Sequence, residues 1–159
     1  MIGEQATADV GGGVRTRKVL VIDDNERIVE LIRHALLLHG GYEIVAAYNG
    51  AEGLEKFYRE RPDCVVVDVK MPGLDGFQFV RAIRGDPSSA NTALVILSAL
   101  HGVNETTTGI FSGVDAYLAK PFAPNLLYAT LDQVMAITPE ERARRIERLA
   151  DDGESEDVS

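Results

Sequence analysis

The chain contains the run Lys18-Val19-Leu20-Val21-Ile22-Asp23-Asp24, in which a strand-like segment ends in two carboxylates. A second apolar run, Cys64-Val65-Val66-Val67, ends in Asp68 in the same way. Because parallel strands bring their carboxyl ends to one edge of a sheet, we expect the three acids to share a pocket. Like charges repel at that distance and burial adds to the cost, so a bound divalent cation is the simple remedy. The two runs predict an acidic metal site with one carboxylate left over for chemistry.

The composition is that of an ordinary globular protein. With 159 residues, 45% hydrophobic and 26% charged, we expect one domain with a sizeable core. The net charge of −9 argues against a nucleic-acid-binding surface, which would normally present a basic face. No apolar stretch approaches the roughly 20 residues that cross a bilayer, and the N-terminus lacks the features of a signal peptide. We expect a cytoplasmic protein with no nucleic-acid partner and no membrane partner.

Strand-like and helix-like segments alternate from Lys18 to Ile137. The strand-like runs occur near residues 18–23, 42–47, 63–68, 93–98 and 115–119. Between them, apolar residues recur at helical spacing. In the first of these helices we expect the apolar face at Ile28, Leu31, Ile32, Ala35 and Leu38. Strands alternating with helices predict an α/β fold with a doubly wound, five-stranded parallel sheet flanked by helices.

Two further polar side chains follow strands at the same predicted edge. The fourth strand ends in Ser98, and the fifth is followed by Lys120 and Pro121. Each position alone has an ordinary explanation, since a strand-end Asp often caps the next helix and Ser98 could bond the backbone. Three acids, one hydroxyl and one ammonium at the same end of the sheet indicate a functional site.

These motifs resemble the receiver domain of two-component response regulators, over about residues 17–137. The matching segments are Val21-Ile22-Asp23-Asp24, the run from Val66 to Gly76 with its Asp-x-x-Met-Pro-x-x-Asp-Gly pattern, Ser98-Ala99 and Lys120-Pro121-Phe122. The resemblance implies the flavodoxin-like receiver fold. It further implies a phosphoprotein of two-component signal transduction that carries an aspartyl phosphate.

The resemblance also implies a role for each site residue. Asp68 would be the phosphoacceptor, with Ser98 and Lys120 contacting the phosphoryl oxygens. Mg²⁺ would be bound by Asp24, Asp68 and the backbone carbonyl of Lys70, while Asp23 orients a metal-bound water. Ser98 and Tyr117, an aromatic residue on the fifth strand, would form the switch that responds to phosphorylation.

The residue types suit phosphoryl transfer. A carboxylate is a weak nucleophile, but transfer through a loose transition state needs positioning more than nucleophilic strength. A metal ion offsets the repulsion between Asp68 and the phosphoryl oxygens, and Lys120 and Ser98 supply a positive charge and a hydrogen bond. Mg²⁺ favours few protein ligands and retained waters, which matches a site with two or three protein oxygens.

The function we expect is that of a stand-alone response regulator, not an enzyme apart from its own phosphorylation and dephosphorylation. The phosphoryl donor would be a phosphohistidine of a sensor histidine kinase or a histidine phosphotransfer protein, and the output would be contact with a downstream protein. Whether it acts directly or passes the phosphoryl group along a relay stays open. One alternative is a metal-dependent phosphohydrolase with Asp68 as a transient nucleophile, although the short loops offer no substrate pocket. Another is a receiver-like scaffold that is never phosphorylated, against which the complete set of site residues counts.

The regions outside the strands predict further features. Residues 1–16 are expected to be a flexible tail, 17–137 the receiver domain, 138–150 a C-terminal helical extension and 151–159 an acidic disordered tail. Thr138 and Glu141 would cap the extension. A thin stripe at Ala143, Ile146, Leu149 and Ala150 is expected to dock weakly on the preceding helix.

The second half of the receiver region carries few charges. From His101 to Ile137 the charged residues are Glu105, Asp115, Lys120 and Asp132. Residues 103–112, rich in threonine and glycine, predict a marginally stable fourth helix. The face formed by this helix and the fifth is either a plain polar surface or, as we favour, a contact surface for a homodimer or an output partner.

Overall fold

The computed structural model describes residues 15–99 and 113–158, with side chains described as far as Arg148. The elements, in chain order, are β1 (Arg17–Ile22), α1 (Glu26–His39), β2 (Tyr42–Ala47), α2 (Gly50–Glu60), β3 (Cys64–Asp68), α3 (Gly76–Gly85), β4 (Ala93–Ser98), β5 (Ala116–Ala119), α4 (Pro124–Met135) and α5 (Pro139–Val158). Each strand begins and ends within one residue of the run expected for it. The helix predicted over 103–112 lies outside the described residues, as does nearly all of the expected N-terminal tail, so α4 here is the fifth helix of the sequence prediction.

The five strands form one parallel sheet in the order β2-β1-β3-β4-β5. Every residue of β3 and β4 is buried, as expected for central strands covered by helices on both faces. The ladder sets Asp68 opposite Leu97, and Ser98 opposite Ala119. This register brings the carboxyl ends of β3, β4 and β5 level with one another, and it confirms the predicted doubly wound α/β fold.

The core lies in two layers, one on each face of the sheet. Successive residues of β1 contribute to opposite layers, Val19 and Val21 to one and Leu20 and Ile22 to the other. The first layer is covered by α1 and α4 and the second by α2 and α3. Among residues expected on the last helix of the sheet region, Leu127, Leu131 and Val134 are all buried, as predicted.

The predicted apolar face of α1 is partly wrong. Ile32 and Ala35 are buried as expected, but Leu31 is 50% exposed and Leu38 is 73% exposed. Val29 and Leu36 take their places in the core. The helix carries apolar side chains almost all round, so periodicity alone did not determine which face turns to the sheet.

The C-terminal helix differs from expectation in length and in packing. α5 runs to Val158, past the expected end at Ala150 and through most of the segment expected to be disordered. The expected docking is wrong where side chains are described: Ala143 is exposed and Ile146 is 38% exposed. Among residues 139–148, whose burial the structure describes, Arg142 is the one that is buried.

Candidate functional site

Three carboxylates meet at the carboxyl edge of the sheet. Asp23 follows β1, Asp24 is its neighbour, and Asp68 is the last residue of β3. One oxygen from each lies within 4.8 Å of the others. Asp23 and Asp68 are buried, at 0% and 6% exposure, whereas Asp24 is exposed. We call these three residues the acid pocket; the sequence prediction placed all three there.

Lys120, the residue directly after β5, reaches into the acid pocket. Its ammonium nitrogen lies 2.9 Å from Asp23 Oδ2 and 3.1 Å from Asp68 Oδ1. Its backbone N–H donates to the carbonyl of Ser98 at 2.8 Å, which fixes the start of the loop. Asp23 Oδ1 accepts the backbone N–H of Asn25 at 2.9 Å. Both oxygens of Asp23 are therefore engaged, and this carboxylate is held in one orientation.

Burial and crowding shift the pKa values of the site. Burial, and next the neighbouring charge of Asp23, raise the pKa of Asp68 above its ordinary value, although Lys120 opposes the shift. Burial alone would lower the pKa of Lys120, but its hydrogen bonds to Asp23 and Asp68 outweigh that effect and raise it. Lys120 therefore holds its proton more strongly than an ordinary lysine, and the ionised form of Asp68 is disfavoured relative to that of an ordinary aspartate.

The acid pocket is suited to a divalent cation. Three carboxylates against one ammonium leave the cluster net negative, and the charges of Asp23 and Asp24 add to the effect of burial in raising the pKa of Asp68. A hard cation such as Mg²⁺ takes carboxylate, carbonyl and water oxygens as ligands. The donor set fits such an ion, with exposed Asp24 on the solvent side and buried Asp68 beneath.

Ser98 and Lys70 lie at the same edge, and Tyr117 lies within the neighbouring strand β5. Ser98 ends β4, is 4% exposed, and follows Leu97, the ladder partner of Asp68. Lys70 lies in the loop after β3 with its side chain exposed. It lines an open groove of about 410 Å³ together with Val69, Met71, Pro72 and Asp75. Tyr117, in β5, is half-buried and packs against the core layer beneath α2 and α3.

The turn from β3 to α3 is tightly constrained. The carboxylate of Asp75 accepts the backbone N–H of Gln78 at 2.8 Å, and the Gln78 amide oxygen accepts the N–H of Asp75, completing a capping box. A side chain at Gly76 would collide with the backbone of Asp68. The Asp-Gly pair thus lets α3 begin directly against the end of β3, which fixes the position of Asp68.

A model of the response regulator receiver domain matches residues 19–132. The chain belongs to the response regulator receiver family. Receiver domains are the phosphorylated modules of two-component signalling, and they typically bind Mg²⁺ at an acidic pocket. Within residues 15–99 and 113–158, no helix of this receiver is both long and apolar enough to cross a membrane.

Relatives and solved structures agree with this assignment. Response regulator MprA of Mycobacterium tuberculosis is 36% identical over 126 residues, which cover 79% of this chain and 54% of MprA. This receiver thus spans about half the length of the curated relatives it matches. Chemotaxis protein CheY4 of Vibrio cholerae superposes with a TM-score of 0.70 at 34% identity, covering 75% of this chain and 98% of CheY4. The receiver domain of Francisella response regulator 1452 gives 0.68 at 33% identity, covering 75% and 96%.

A second charged cluster lies at the opposite edge of the receiver's sheet, and the sequence analysis missed it. Asp115, just before β5, is flanked by Arg84 from the last turn of α3 and Arg142 from α5. Asp115 Oδ2 accepts from Arg84 at 3.1 Å, and Oδ1 accepts from Arg142 at 2.9 Å. All three side chains are nearly inaccessible, at 3–8% exposure. We call these residues the arginine cluster.

Backbone carbonyls accept the remaining hydrogen bonds that the two guanidinium groups of the arginine cluster donate. Arg84 also donates to the carbonyls of Ala90, Thr92 and Gly113 at 2.6–3.0 Å, and Arg142 donates to those of Asn91 and Val134 at 2.8 and 3.1 Å. Burial lowers the pKa of Arg84 to about 10, so it stays charged near neutrality. Arg142 lies beyond the matched family region, residues 19–132, and it joins the first turns of α5 to the receiver.

Proposed function

We propose that Asp68 accepts a phosphoryl group from a phosphohistidine of a sensor histidine kinase or a histidine phosphotransfer protein. The observation that carries the proposal is the contact of Lys120 with Asp68 inside a net-negative pocket. In this arrangement Asp68 is the nucleophile, Lys120 is a fixed cation beside it, and the three carboxylates offer oxygen ligands to a divalent metal.

Each residue has a defined role in the proposed transfer. An Asp68 oxygen attacks phosphorus, the bond from phosphorus to the donor imidazole nitrogen breaks, and the imidazole leaves with the bond's electron pair. Lys120, held cationic, faces the phosphoryl oxygens as negative charge spreads over them. The hydroxyl of Ser98 donates to one of those oxygens.

The proposed Mg²⁺ site uses Asp24, Asp68 and the backbone carbonyl of Lys70, with Asp23 orienting a bound water. When bound, the ion offsets the repulsion between the carboxylate and the incoming phosphoryl group. Asp24 is exposed and accessible to an ion arriving from solvent. Asp23, fully buried and fixed by two hydrogen bonds, suits the role of an orienting residue.

The proposed switch couples Ser98 to Tyr117. Ser98 lies at the end of β4, and the strand next to it carries Tyr117 two residues before Ala119, the ladder partner of Ser98. A movement of Ser98 toward a phosphoryl group would alter the packing beside β5, where Tyr117 is half-buried. The output would be phosphorylation-dependent contact with a downstream protein.

We further propose that the protein works as a stand-alone cytoplasmic regulator that binds no nucleic acid, with residues 138–150 as an extension of the receiver. The net charge of −9 supports the absence of nucleic-acid contact.

The proposed homodimer through the faces of the fourth and fifth predicted helices has partial support. Leu126 of α4 is 52% exposed, but Tyr128 turns to α1, where its hydroxyl donates to the carbonyl of Ala35 at 2.9 Å. Light scattering before and after phosphorylation tests that dimer, and a monomer in both states excludes it.

Incubation with acetyl phosphate and Mg²⁺ tests the central proposal. We expect one phosphoryl group per chain by intact-mass spectrometry, lost in Asp68→Asn and retained in the matched control Asp63→Asn, which changes an acid at the opposite edge. Multiple turnover of an organic phosphate would instead indicate a phosphohydrolase. Failure of the wild-type protein to take up phosphate would leave the non-phosphorylated scaffold as the better description.

A further inference from the structure

A cavity of about 260 Å³ lies at the amino edge of the sheet, opposite the acid pocket. Its lining residues come from the amino ends of β1, β3 and β4, from the end of α4 and from the first turns of α5. The volume is below the roughly 300–1,000 Å³ of pockets for drug-sized ligands. We call this space the amino-edge cavity; any ligand that it encloses has to be small.

Part of the lining of the amino-edge cavity is apolar. Ala93 and Val134 are buried, at 4% and 1% exposure. Met135 and Ile137, at the end of α4 and just after it, are partly buried and pack against the same core layer. Apolar surface that borders an open cavity is stabilised when an apolar group covers it and displaces water. The cavity therefore favours a ligand that carries an apolar body.

The charged part of the lining is mostly cationic. Three guanidinium groups, those of Arg15, Arg17 and Arg142, line the cavity together with one carboxylate, that of Asp63. This local excess of positive charge occurs in a chain whose net charge is −9. Guanidinium groups bind carboxylates through paired N–H groups. The cavity therefore favours an anion.

Arg142 is the rigid cation of the amino-edge cavity. It is 3% exposed and is fixed by the carboxylate of Asp115 and by two carbonyls. Each terminal nitrogen of a guanidinium carries two N–H groups. In the described part of the chain, each terminal nitrogen of Arg142 donates to one carbonyl, that of Asn91 or of Val134. One N–H on each is thus left for an acceptor in the cavity, as buried donors usually have one.

Arg15 and Arg17 are held by weaker contacts than Arg142. Arg15 contacts Asp63 at 3.2 Å, and Arg17 contacts Asp132 at 3.4 Å. The two arginine side chains are 69% and 38% exposed, and ion pairs of this kind contribute little to stability. Both guanidinium groups can therefore turn toward an anion in the cavity at small cost.

We propose that the amino-edge cavity binds a small organic carboxylate, with the charged group of the ligand on Arg17 and Arg142. The apolar body of the ligand packs against Val134 and Ile137. The cavity lies at the opposite edge from Asp68, so this binding does not require phosphorylation. Because Arg142 joins the first turns of α5 to the receiver, a ligand held by Arg142 stabilises that attachment.

Titration of the isotope-labelled full chain with benzoate tests the proposal. Nuclear magnetic resonance should show saturable shifts of the backbone amides of Ala93 and Ile137, with a dissociation constant on the order of 1 mM, as expected for a ligand of this size. The amides of Asp24 and Val69, beside the acid pocket, should not shift. Benzamide, the uncharged isostere, should bind about tenfold more weakly, and inorganic phosphate, which has no apolar body, about fivefold more weakly.

Arg17→Gln is the test variant, because Arg17 is partly exposed and its removal should leave the fold intact. We expect it to raise the dissociation constant for benzoate about tenfold. Arg81→Gln makes the same change at an exposed position on α3 and is the matched control. Asp68→Asn should bind benzoate as the wild-type protein does, which separates this test from that of phosphorylation. Benzoate should also slow hydrogen exchange across residues 139–148 of the wild-type protein.

Circular dichroism confirms that each variant is folded. The proposal is overturned if benzoate gives no saturable shifts at Ala93 and Ile137. It is also overturned if benzamide or phosphate binds as tightly as benzoate, since either the charge or the apolar body would then be unnecessary. Equal affinities of Arg17→Gln and Arg81→Gln for benzoate would likewise contradict it.

Discussion

The two edges of the sheet carry charged clusters of opposite balance. At the carboxyl edge, the acid pocket sets three carboxylates against Lys120. At the amino edge, the arginine cluster sets one carboxylate, Asp115, between two guanidinium groups. The arginine cluster is almost sealed from water and its donors end on carboxylate and carbonyl oxygens. The acid pocket keeps an exposed member, Asp24, and a carboxylate whose pKa is raised.

The difference separates a structural charge cluster from a functional one. Buried charges are tolerated when their partners are complete, and removing one partner is costly. The arginine cluster meets that condition within the protein. The acid pocket sets three carboxylates against one ammonium and does not meet that condition within the protein; under our proposal a bound cation completes it. The two clusters should therefore respond differently to loss of a charge and to Mg²⁺.

The largest effect is expected from Asp115→Ala. It leaves two buried guanidinium groups facing each other without a counter-ion, and it removes the acceptor of the Leu94 backbone N–H. We expect a loss of about 3–5 kcal/mol in the free energy of unfolding by urea denaturation. Asp132→Ala, which removes an exposed ion pair with Arg17, is the control and should cost about 0–1 kcal/mol. Equal losses in the two variants would show that the arginine cluster is not a special stabilising feature.

Arg142→Met should have a smaller effect on the whole fold but a specific one on α5. Asp115 retains Arg84, while Asn91 and Val134 lose a donor to their carbonyls. We expect about 1–3 kcal/mol of destabilisation. Faster hydrogen exchange across residues 139–148 should accompany it, with β1 unaffected. Arg145→Met is the control, and unchanged exchange in α5 of Arg142→Met would contradict the anchor.

Lys120→Met tests the balance of the acid pocket. Without Mg²⁺ it leaves buried Asp23 and Asp68 unpaired, so we expect a loss of about 1–3 kcal/mol in the free energy of unfolding. Saturating Mg²⁺ should recover part of that loss, because the ion replaces the missing positive charge. Thermal melts with and without Mg²⁺ measure both effects. A loss that Mg²⁺ does not change would argue that Lys120 and the ion do not share the same carboxylates.

Asp68→Asn should give the smallest effect, and with the opposite sign to Asp115→Ala. The raised pKa of Asp68 means that the folded protein binds its proton more tightly than the unfolded chain does. The stabilisation is present below the unfolded pKa and is lost as the pH rises through the folded value. Near neutral pH and without metal, the neutral amide should therefore raise the free energy of unfolding by roughly 0.5–1 kcal/mol. Destabilisation under these conditions would show that Lys120 already balances the pocket.

The sheet and the acid pocket were predictable because local pattern and topology point the same way. An apolar run such as Val65 to Val67 suits a central strand, and parallel strands bring Asp23, Asp68 and Lys120 to one edge whatever the details of packing. The arginine cluster was not predictable, because Arg142 stands among charged neighbours in a segment that looks fully solvated. Its burial depends on Asp115 and on carbonyls distant in sequence. The face of α1 was missed for a related reason, since its excess of apolar residues left several orientations open.

Magnesium binding tests the central claim most directly. Calorimetric titration of the wild-type protein with Mg²⁺, in chelator-treated buffer, should show saturable binding of one ion per chain. Asp68→Asn should lose that binding, while Asp63→Asn should keep it. Absence of saturable binding in the wild-type protein, or equal affinity in Asp68→Asn, would contradict the account of the acid pocket as a cation-dependent phosphorylation site.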